Sequence, residues 1–331
     1  MPDPVARRPF LLDGDVSADI TDAESAVQVL NAEATTLTGL EGLARLLLRA
    51  EAVASSKIEG LEVGGRRLLH AEVARSLGDR QSDGTAEEIL GNIDAMSWAV
   101  ETVGGAELIQ IDHLLEIHRR LMAGTRLSSV GGAVRDRQNW IGGSDYSPCE
   151  AQFVPPPPAE MSRLLGDLCE FCNEDELPAI AQAAIAHAQF ETIHPFIDGN
   201  GRTGRALIHV ILRRRGLTPR VLAPVSLVLA TWSKDYVGRL MGTRYIGDPQ
   251  SPAAHQGLNR WISLFAAATR RAVGDARIFE QRVADLQSGW RLRLGKVRHS
   301  SAVDLLLLAL PGAPVITVNS ASEIIDRSFK A

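Results

Sequence analysis

The chemical information in this chain is concentrated in one stretch, His194-Pro-Phe-Ile-Asp-Gly-Asn-Gly-Arg-Thr-Gly-Arg205. Pro195 disfavours helix at His194, so a helix arriving there must stop. Gly199 and Gly201 permit a tight loop whose backbone N–H groups can converge on a ligand. A helical pattern begins directly afterwards, and helix N-termini favour anions. Arg202 and Arg205 lie three apart on its first turn and can both reach that anion. Asp198, beside the same pocket, could hold Mg²⁺, which takes one or two carboxylates and completes its shell with phosphate oxygens. His194 is the group that can accept a proton near neutral pH without strong tuning. An oxyanion cradle, a metal ligand, two guanidiniums and a base point to phosphate-ester chemistry. Single members have plainer readings: Asp198-Gly199 as a turn, the two arginines as a solvated helix face. Eight fixed positions at average residue usage, however, coincide by chance on the order of 10⁻¹⁰ per site.

The elements that must position these groups are helices. The sequence is helical in pattern over 21–58, where Thr21-Asp22-Ala23-Glu24 resembles a capping box and Leu40, Leu43, Leu47 and Ala50 recur at helical spacing. Gly60 ends this stretch. Further helices are predicted around 70–77, 85–103, 111–122, from 159, over 178–193 and 201–215, and near 227–240 and 258–286. The helix over 201–215 closes on Arg213-Arg214-Arg215-Gly216, positive charge and a glycine at a helix C-terminus. Residues 130–153 are rich in Gly and β-branched side chains and predict a short hairpin, which the run Pro155 to Pro158 separates from the next helix. Beyond 288, Arg291, Arg293, Lys296 and Arg298 read as a basic connector. An apolar stretch follows, then short helices capped by Thr317, with Glu323 inside, and by Ser328.

Composition agrees with a large helical protein. Of 331 residues, 45% are hydrophobic and 23% charged, enough for a substantial core and too apolar for general disorder. The formal charge of −5 gives no electrostatic reason to expect nucleic acid or an anionic membrane as main partner. Cys149, Cys169 and Cys172 cannot form a disulfide framework, and the CxxC spacing of the last two lacks a second pair or a nearby His for zinc. That pair reads as buried or half-buried thiols, and the three cysteines fit a reducing compartment. No apolar stretch is long enough to span a bilayer, and the N-terminus lacks a signal-peptide core. The expectation is a soluble cytoplasmic protein, not a membrane partner.

The stretch from His194 to Arg205 resembles the Fic family signature, HxFx(D/E)GNGRxxR, at every fixed position. The resemblance implies an all-α Fic fold with a small β-hairpin flap. It also implies transfer of AMP from ATP to a Ser, Thr or Tyr hydroxyl of a protein, this chain itself being one candidate target. His194 would be the general base and Asp198 would hold Mg²⁺. Gly199, Asn200 and Gly201 would cradle the α- and β-phosphates; Arg202 would meet the β-phosphate and Arg205 the γ-phosphate, with Thr203 and Gly204 on the same turn. The Doc type, which phosphorylates, carries Lys where Gly201 stands, so Gly201 favours adenylylation. Phosphocholine transfer and removal of AMP also occur on this motif. Ile141, Gly142, Gly143 and Phe153 resemble the family's flap, which docks a target segment by strand addition. His187, on the helix leading into the motif, is read as structural. Trp232 and Tyr236 are assigned to the adenine pocket, with core packing as the competing reading.

Ser55-Ser-Lys-Ile-Glu59-Gly60 resembles the family's inhibitory motif, (S/T)xxxE(G/N), in its N-terminal position. The resemblance implies a helix over about 40–60 whose Glu59 forms a bidentate ion pair with Arg205, helped by Ser55. That pair would occupy the guanidinium needed by the γ-phosphate. The implied organisation is an N-terminal helical region over 1–100, a catalytic core over 101–288, and a tail over 289–331. The tail resembles the beginning of a winged helix-turn-helix that would bind DNA or a protein partner. A regulatory protein with a silent core is the competing reading. Gly289 to Lys296 misses the P-loop spacing, and Val297 stands where Ser or Thr is required. His113 and His118 lack a zincin arrangement and are read as core or surface residues.

Overall fold

A computed structural model of the chain describes residues 1–33, 40–78, 83–105, 108–143, 147–313 and 315–327. Its elements are α1 (Gly14–Glu33), α2 (Leu40–Ile58), α3 (Gly65–Ser76), α4 (Gly84–Trp98), α5 (Ile111–Met122), α6 (Met161–Cys172) and α7 (Ala179–Ile193). They continue with α8 (Asn200–Arg214), α9 (Val225–Thr231), α10 (Ser233–Gly242), α11 (Pro252–Leu294), α12 (Ala302–Ala309) and α13 (Val318–Ile324). The fold is all-α, as expected.

The α7–α8 hairpin is the axis of the molecule. α7, AIAQAAIAHAQFETI, is apolar all round and buried along nearly its whole length, and α8 is buried from Asn200 to Leu212. A helix without a polar face belongs at the centre of a bundle, and the alanines let neighbours approach closely. α6 and α11 pack on α7, and α2, α4 and α5 pack on α8. Side chains such as Phe190, Phe196, Trp261 and Phe265 fill the space between them. The loop between α7 and α8 is thereby pinned at both ends, and it carries the motif.

Several boundaries differ from the sequence reading. α1 starts at Gly14, and Thr21 lies inside it, its hydroxyl donating to the Ser17 carbonyl at 2.8 Å rather than capping. Threonine back-bonds one turn in this way when a helix continues past it. The helix expected near 227–240 is broken at Trp232 into α9 and α10. α11 runs through residue 288 to Leu294, so Arg291 and Arg293 lie in its last turn, where basic groups offset the helix dipole. Arg291 pairs with Asp304 at 2.5 Å. Thr317 caps α13, whereas Ser328 lies outside the described residues. α12 reaches back to the start of α2: a Cβ on Gly42 would stand 2.7 Å from the Leu308 carbonyl oxygen.

The expected hairpin is reduced, among the described residues, to one antiparallel bridge between Ile141 and Phe153. Ile141 donates to the Phe153 carbonyl at 2.9 Å and accepts from Gln152 at 2.9 Å. Gly142 and Gly143 turn away with φ of 76° and 75°, and the prolines from 155 onward have no N–H to extend the ladder. Cys169 and Cys172 are buried free thiols and Cys149 is exposed. Burial pushes the Cys169 thiol up to about 12, which keeps it unreactive. No helix among the described residues is long and apolar enough to cross a membrane.

Candidate active site

The motif loop is built from backbone outwards. α7 stops at His194, whose N–H donates to the Phe190 carbonyl at 2.8 Å and whose φ of 51° is left-handed. That conformation costs a non-glycine residue on the order of 1–3 kcal/mol and needs external support. Arg135 supplies it. Its Nε donates to the His194 carbonyl at 2.9 Å, its backbone N–H to the Pro195 carbonyl at 2.9 Å, and its guanidinium also reaches the Pro156 carbonyl. Asn200 staples the other end: its amide accepts from the Phe196 N–H and donates to the Phe196 carbonyl, both at 2.8 Å. The Asn200 side chain therefore closes the loop rather than pointing outward from it.

His118 on α5 holds the middle. Gly132 donates to its Nδ1 at 3.0 Å, so the proton sits on Nε2, which donates to the Asp198 carbonyl at 3.0 Å. The ring also stacks on Phe196, with centroids 3.8 Å apart. Burial holds His118 at about 4, so it stays neutral. Neither Arg135 nor His118 carries a local signal that marks it; each is recognisable only through the carbonyl it reaches.

On this frame α8 begins. Thr203 N–H takes the Gly199 carbonyl at 3.0 Å, and the N–H groups at positions 200–202 are helix-start donors without intrahelical acceptors. Arg202 and Arg205 are both almost fully buried. Arg202 lies 3.6 Å from Asp198 and 3.5 Å from Glu88 of α4. The Asp198 side chain is 51% exposed, and its Oδ1 accepts the Gly199 N–H at 2.7 Å. His194 stands at the other end of the loop, at the C-terminus of α7. Burial, then the charges of Arg244 and Arg135, hold its imidazole at about 4, so it is neutral at pH 7 and free to accept a proton.

The end of α2 closes over this turn. Leu61 N–H bonds the Ser56 carbonyl at 3.1 Å and Gly60 N–H bonds the Lys57 carbonyl at 3.0 Å, with Gly60 at φ 78°. This is a Schellman stop, which requires a left-handed residue after the last helical turn. It leaves Glu59 as the capping residue, aimed at α8. Arg205 NH2 donates to Glu59 Oε1 at 2.6 Å. The remaining Arg205 bonds go to Ser55: Nε to Oγ at 2.8 Å and NH2 to the carbonyl at 2.9 Å. The pair expected to be bidentate is thus single, because Ser55, one turn earlier, already covers the Nε edge of the guanidinium. A Cβ on Gly201 would lie 2.0 Å from Glu59 Oε1, so the carboxylate rests on the bare face of that glycine. Burial pushes the Glu59 carboxyl up. The charge and hydrogen bond of Arg205, with Arg202 and His194 behind, outweigh that and hold it below the usual carboxylate range.

α2 is held in register by a second buried contact. Glu51 accepts from the Ser226 N–H at 2.8 Å and the Ser226 hydroxyl at 2.5 Å, and lies 2.9 Å from His209 Nε2 on α8. Asn92 of α4 adds a bond to the Ala52 carbonyl at 2.7 Å. None of these partners was visible as a group in the sequence.

The flap residues Ile141, Gly142, Gly143 and Phe153 come together at the bridge, and Phe153 is anchored by the Arg244 guanidinium 3.6 Å over its ring. Beside them lies a cleft of about 640 Å³, bounded by Phe153, Val154, Arg244, Tyr245 and the N-terminal Asp3 and Phe10. Tyr236 is buried behind Arg205, its hydroxyl 2.8 Å from His187 Nε2 and its ring against Trp261. Trp232 is half-buried and lines a separate groove with Asp13, Arg239 and Asn259. Thr203 is fully buried, as is His187.

Residues 108–212 match the model of the Fic/DOC family, and residues 17–101 match that of the Fic/DOC family N-terminal region, together more than half of the chain. A protein adenylyltransferase fic-1 from Caenorhabditis briggsae is 34% identical over 135 residues, 40% of this chain and 24% of that protein. The match thus spans about a quarter of that relative's length. Among solved structures, a Fic family protein from Desulfovibrio desulfuricans superposes with a TM-score of 0.62 at 21% identity, over 97% of this chain and 87% of that one. A Fic-1 fragment from C. elegans gives 0.54 at 23% identity, over 80% and 74%.

Proposed function

We propose, from the premise that this chain belongs to the Fic/DOC family, that it is a protein adenylyltransferase held inactive by its own Glu59. The observation that carries the reading is the Glu59 carboxylate lying over Gly201 on Arg205. A cradle that accepts an internal carboxylate is built for an oxyanion, and here the protein's own anion sits in it.

In this reading ATP is the nucleotide substrate. Its α- and β-phosphates lie over the N–H groups at the start of α8, between Gly199 and Gly201, with Arg202 on the β-phosphate. Arg205 takes the γ-phosphate once Glu59 has left. Asn200 contributes by closing the loop, and the buried Thr203 and Gly204 by packing the turn. His194, neutral at pH 7, takes the proton of the target hydroxyl on Nε2 as the hydroxyl oxygen bonds to the α-phosphorus. The bond from that phosphorus to the bridging oxygen breaks in line, and pyrophosphate leaves. Positioning and fixed positive charge supply most of the rate.

Asp198 is a half-exposed carboxylate at the mouth of the cradle, and no cluster of three metal-binding side chains occurs among the described residues. That donor set fits Mg²⁺ held jointly by one carboxylate, phosphate oxygens and water. Bound there, the ion would draw off charge from the phosphates. The flap from Ile141 to Phe153 offers backbone groups to an extended target segment. Trp232 and Tyr236 do not enter the proposal as adenine contacts, because Tyr236 is committed to His187 and Trp261 and Trp232 faces another groove.

The test is protein labelling with α-labelled and γ-labelled ATP by Glu59→Gly, with and without His194→Ala. Label from the α-position that depends on His194 is expected. Label from the γ-position alone would replace adenylylation by phosphoryl transfer. No label from either, with a cell lysate supplied as target, would refute the enzymatic reading.

A further inference from the structure

His187, Glu191 and His194 recur along one side of α7, and each carries a buried polar atom with no hydrogen-bond partner: Nδ1, Oε1 and Nδ1 respectively. Unsatisfied buried polar atoms are rare, and a run of them beside a reactive group calls for an explanation. Glu191 is 8% exposed, and its Oε2 lies 3.9 Å from His194 Nδ1. The Glu191 carbonyl at the end of α7 is the other acceptor near that nitrogen. Gly204 of α8 provides the room. A Cβ there would stand 2.9 Å from Glu191 Oε1 and 3.1 Å from His187 Nδ1.

A general base that accepts a proton on Nε2 must carry its own proton on Nδ1, and the ring then needs an acceptor on that side. We infer that the Glu191 carboxylate is the positioning residue that orients His194 and stabilises its imidazolium during transfer. The inference rests on the adenylyltransferase reading of the site. At 3.9 Å the two groups stand one ordered water or one small side-chain rotation from a hydrogen bond, and such contacts often tighten only when substrate is bound. No covalent change occurs at Glu191. The proton arriving on Nε2 remains on the imidazole and leaves to solvent after the product departs.

The charges around Glu191 couple it to the brake. Arg205 of α8, Arg244, Glu59 at the cap of α2 and the buried Tyr236 all face it, and His187 lies on its own helix. Burial pushes the Glu191 carboxyl up to about 7. Arg205 and Arg244 oppose that, and Glu59 adds to it. Departure of Glu59 therefore favours the ionised Glu191 that the transfer step uses.

The experiment compares Glu191→Gln and Glu191→Ala in the Glu59→Gly parent, reading AMP transfer, KM for ATP, rate against pH and thermal melting. Glu191→Gln keeps shape and loses charge. It is expected to lower kcat roughly 10- to 100-fold, with KM for ATP nearly unchanged and melting no lower than the parent. The acidic limb of its rate profile should move to lower pH, since the ionisation of Glu191 near 7 no longer limits the rate. Parent-like rate and pH profile in Glu191→Gln would overturn the inference. NMR of the His194 ring separates this outcome from failure of the adenylyltransferase reading. At pH 8, where Glu191 is ionised, the ring nitrogen shifts should report the Nδ1–H tautomer in the parent and lose it in Glu191→Ala whether or not AMP transfer is observed, and equal shifts would overturn the inference by themselves.

Discussion

The Glu59 contact sets a quantitative expectation for release of the site. Arg205 is 1% exposed and Glu59 37%, with 2.6 Å between NH2 and Oε1. A charge-assisted hydrogen bond of this kind contributes about 1.5–3 kcal/mol, against about 0.5–1.5 kcal/mol for a neutral one. An ATP γ-phosphate that needs Arg205 must displace that bond, so its removal in Glu59→Gly should raise AMP transfer roughly 10- to 150-fold, at about 1.4 kcal/mol per decade. Glu59→Gln keeps the bulk and a hydrogen bond to the guanidinium while losing the carboxylate charge, and should recover only part of that gain. Arg205 stays in place in both variants because Ser55 holds it at 2.8 and 2.9 Å. The assay is the initial rate of α-label incorporation at several ATP concentrations, with Glu59→Gln and Glu59→Gly measured beside wild type. Equal rates in all three would refute the brake. A Gln variant as active as Gly would refute the hydrogen-bond part of the argument and leave charge alone as the cause.

Two further outcomes follow from the packing. Glu51→Ala leaves the buried Ser226 N–H and hydroxyl without their acceptor, which should cost about 1–3 kcal/mol in denaturant unfolding and, by loosening α2, raise AMP transfer even with Glu59 intact; unchanged stability and silent transfer would contradict both effects. Stability should also fall as the pH drops from about 6.5 towards 4.5. His118, His187 and His194 are held at about 4, 3 and 4, so the unfolded chain binds their protons first. Glu191, held at about 7, acts in the opposite sense, because the folded state binds its proton first. The net is about two protons, or on the order of 2–3 kcal/mol per pH unit in that window, and denaturant midpoints at pH 6.5 and 5 that agree would count against these assignments.

What could be read from the sequence was what depends on neighbours along the chain. Pro195 stopping a helix, the N–H groups opening the next one, and Arg202 and Arg205 one turn apart are relations within about four residues, so residue type and spacing were sufficient. The helix end at Gly60 was legible for the same reason, whereas the pairing of Glu59 with Arg205, 146 residues away, was expected from the resemblance to the family's inhibitory motif. The helices followed from helical periodicity, and the all-α fold from the family resemblance. Packing decided the rest. Arg135 is 59 residues from the His194 carbonyl it holds, and His118 is 80 from Asp198. A buried hydrogen-bonding group must find a partner, but its own residue type does not say which distant carbonyl, hydroxyl or carboxylate that will be. The same holds for the Glu51–His209 contact, for Tyr236 turning into the core, and for Glu191 coming to rest beside His194. The sequence determined that a helix start carrying Arg202 and Arg205 would follow a tight loop from His194. The tertiary structure determined that Arg135 and His118 hold that loop and that the Glu191 carboxyl stands behind His194, because only close packing brings those groups within reach of one another.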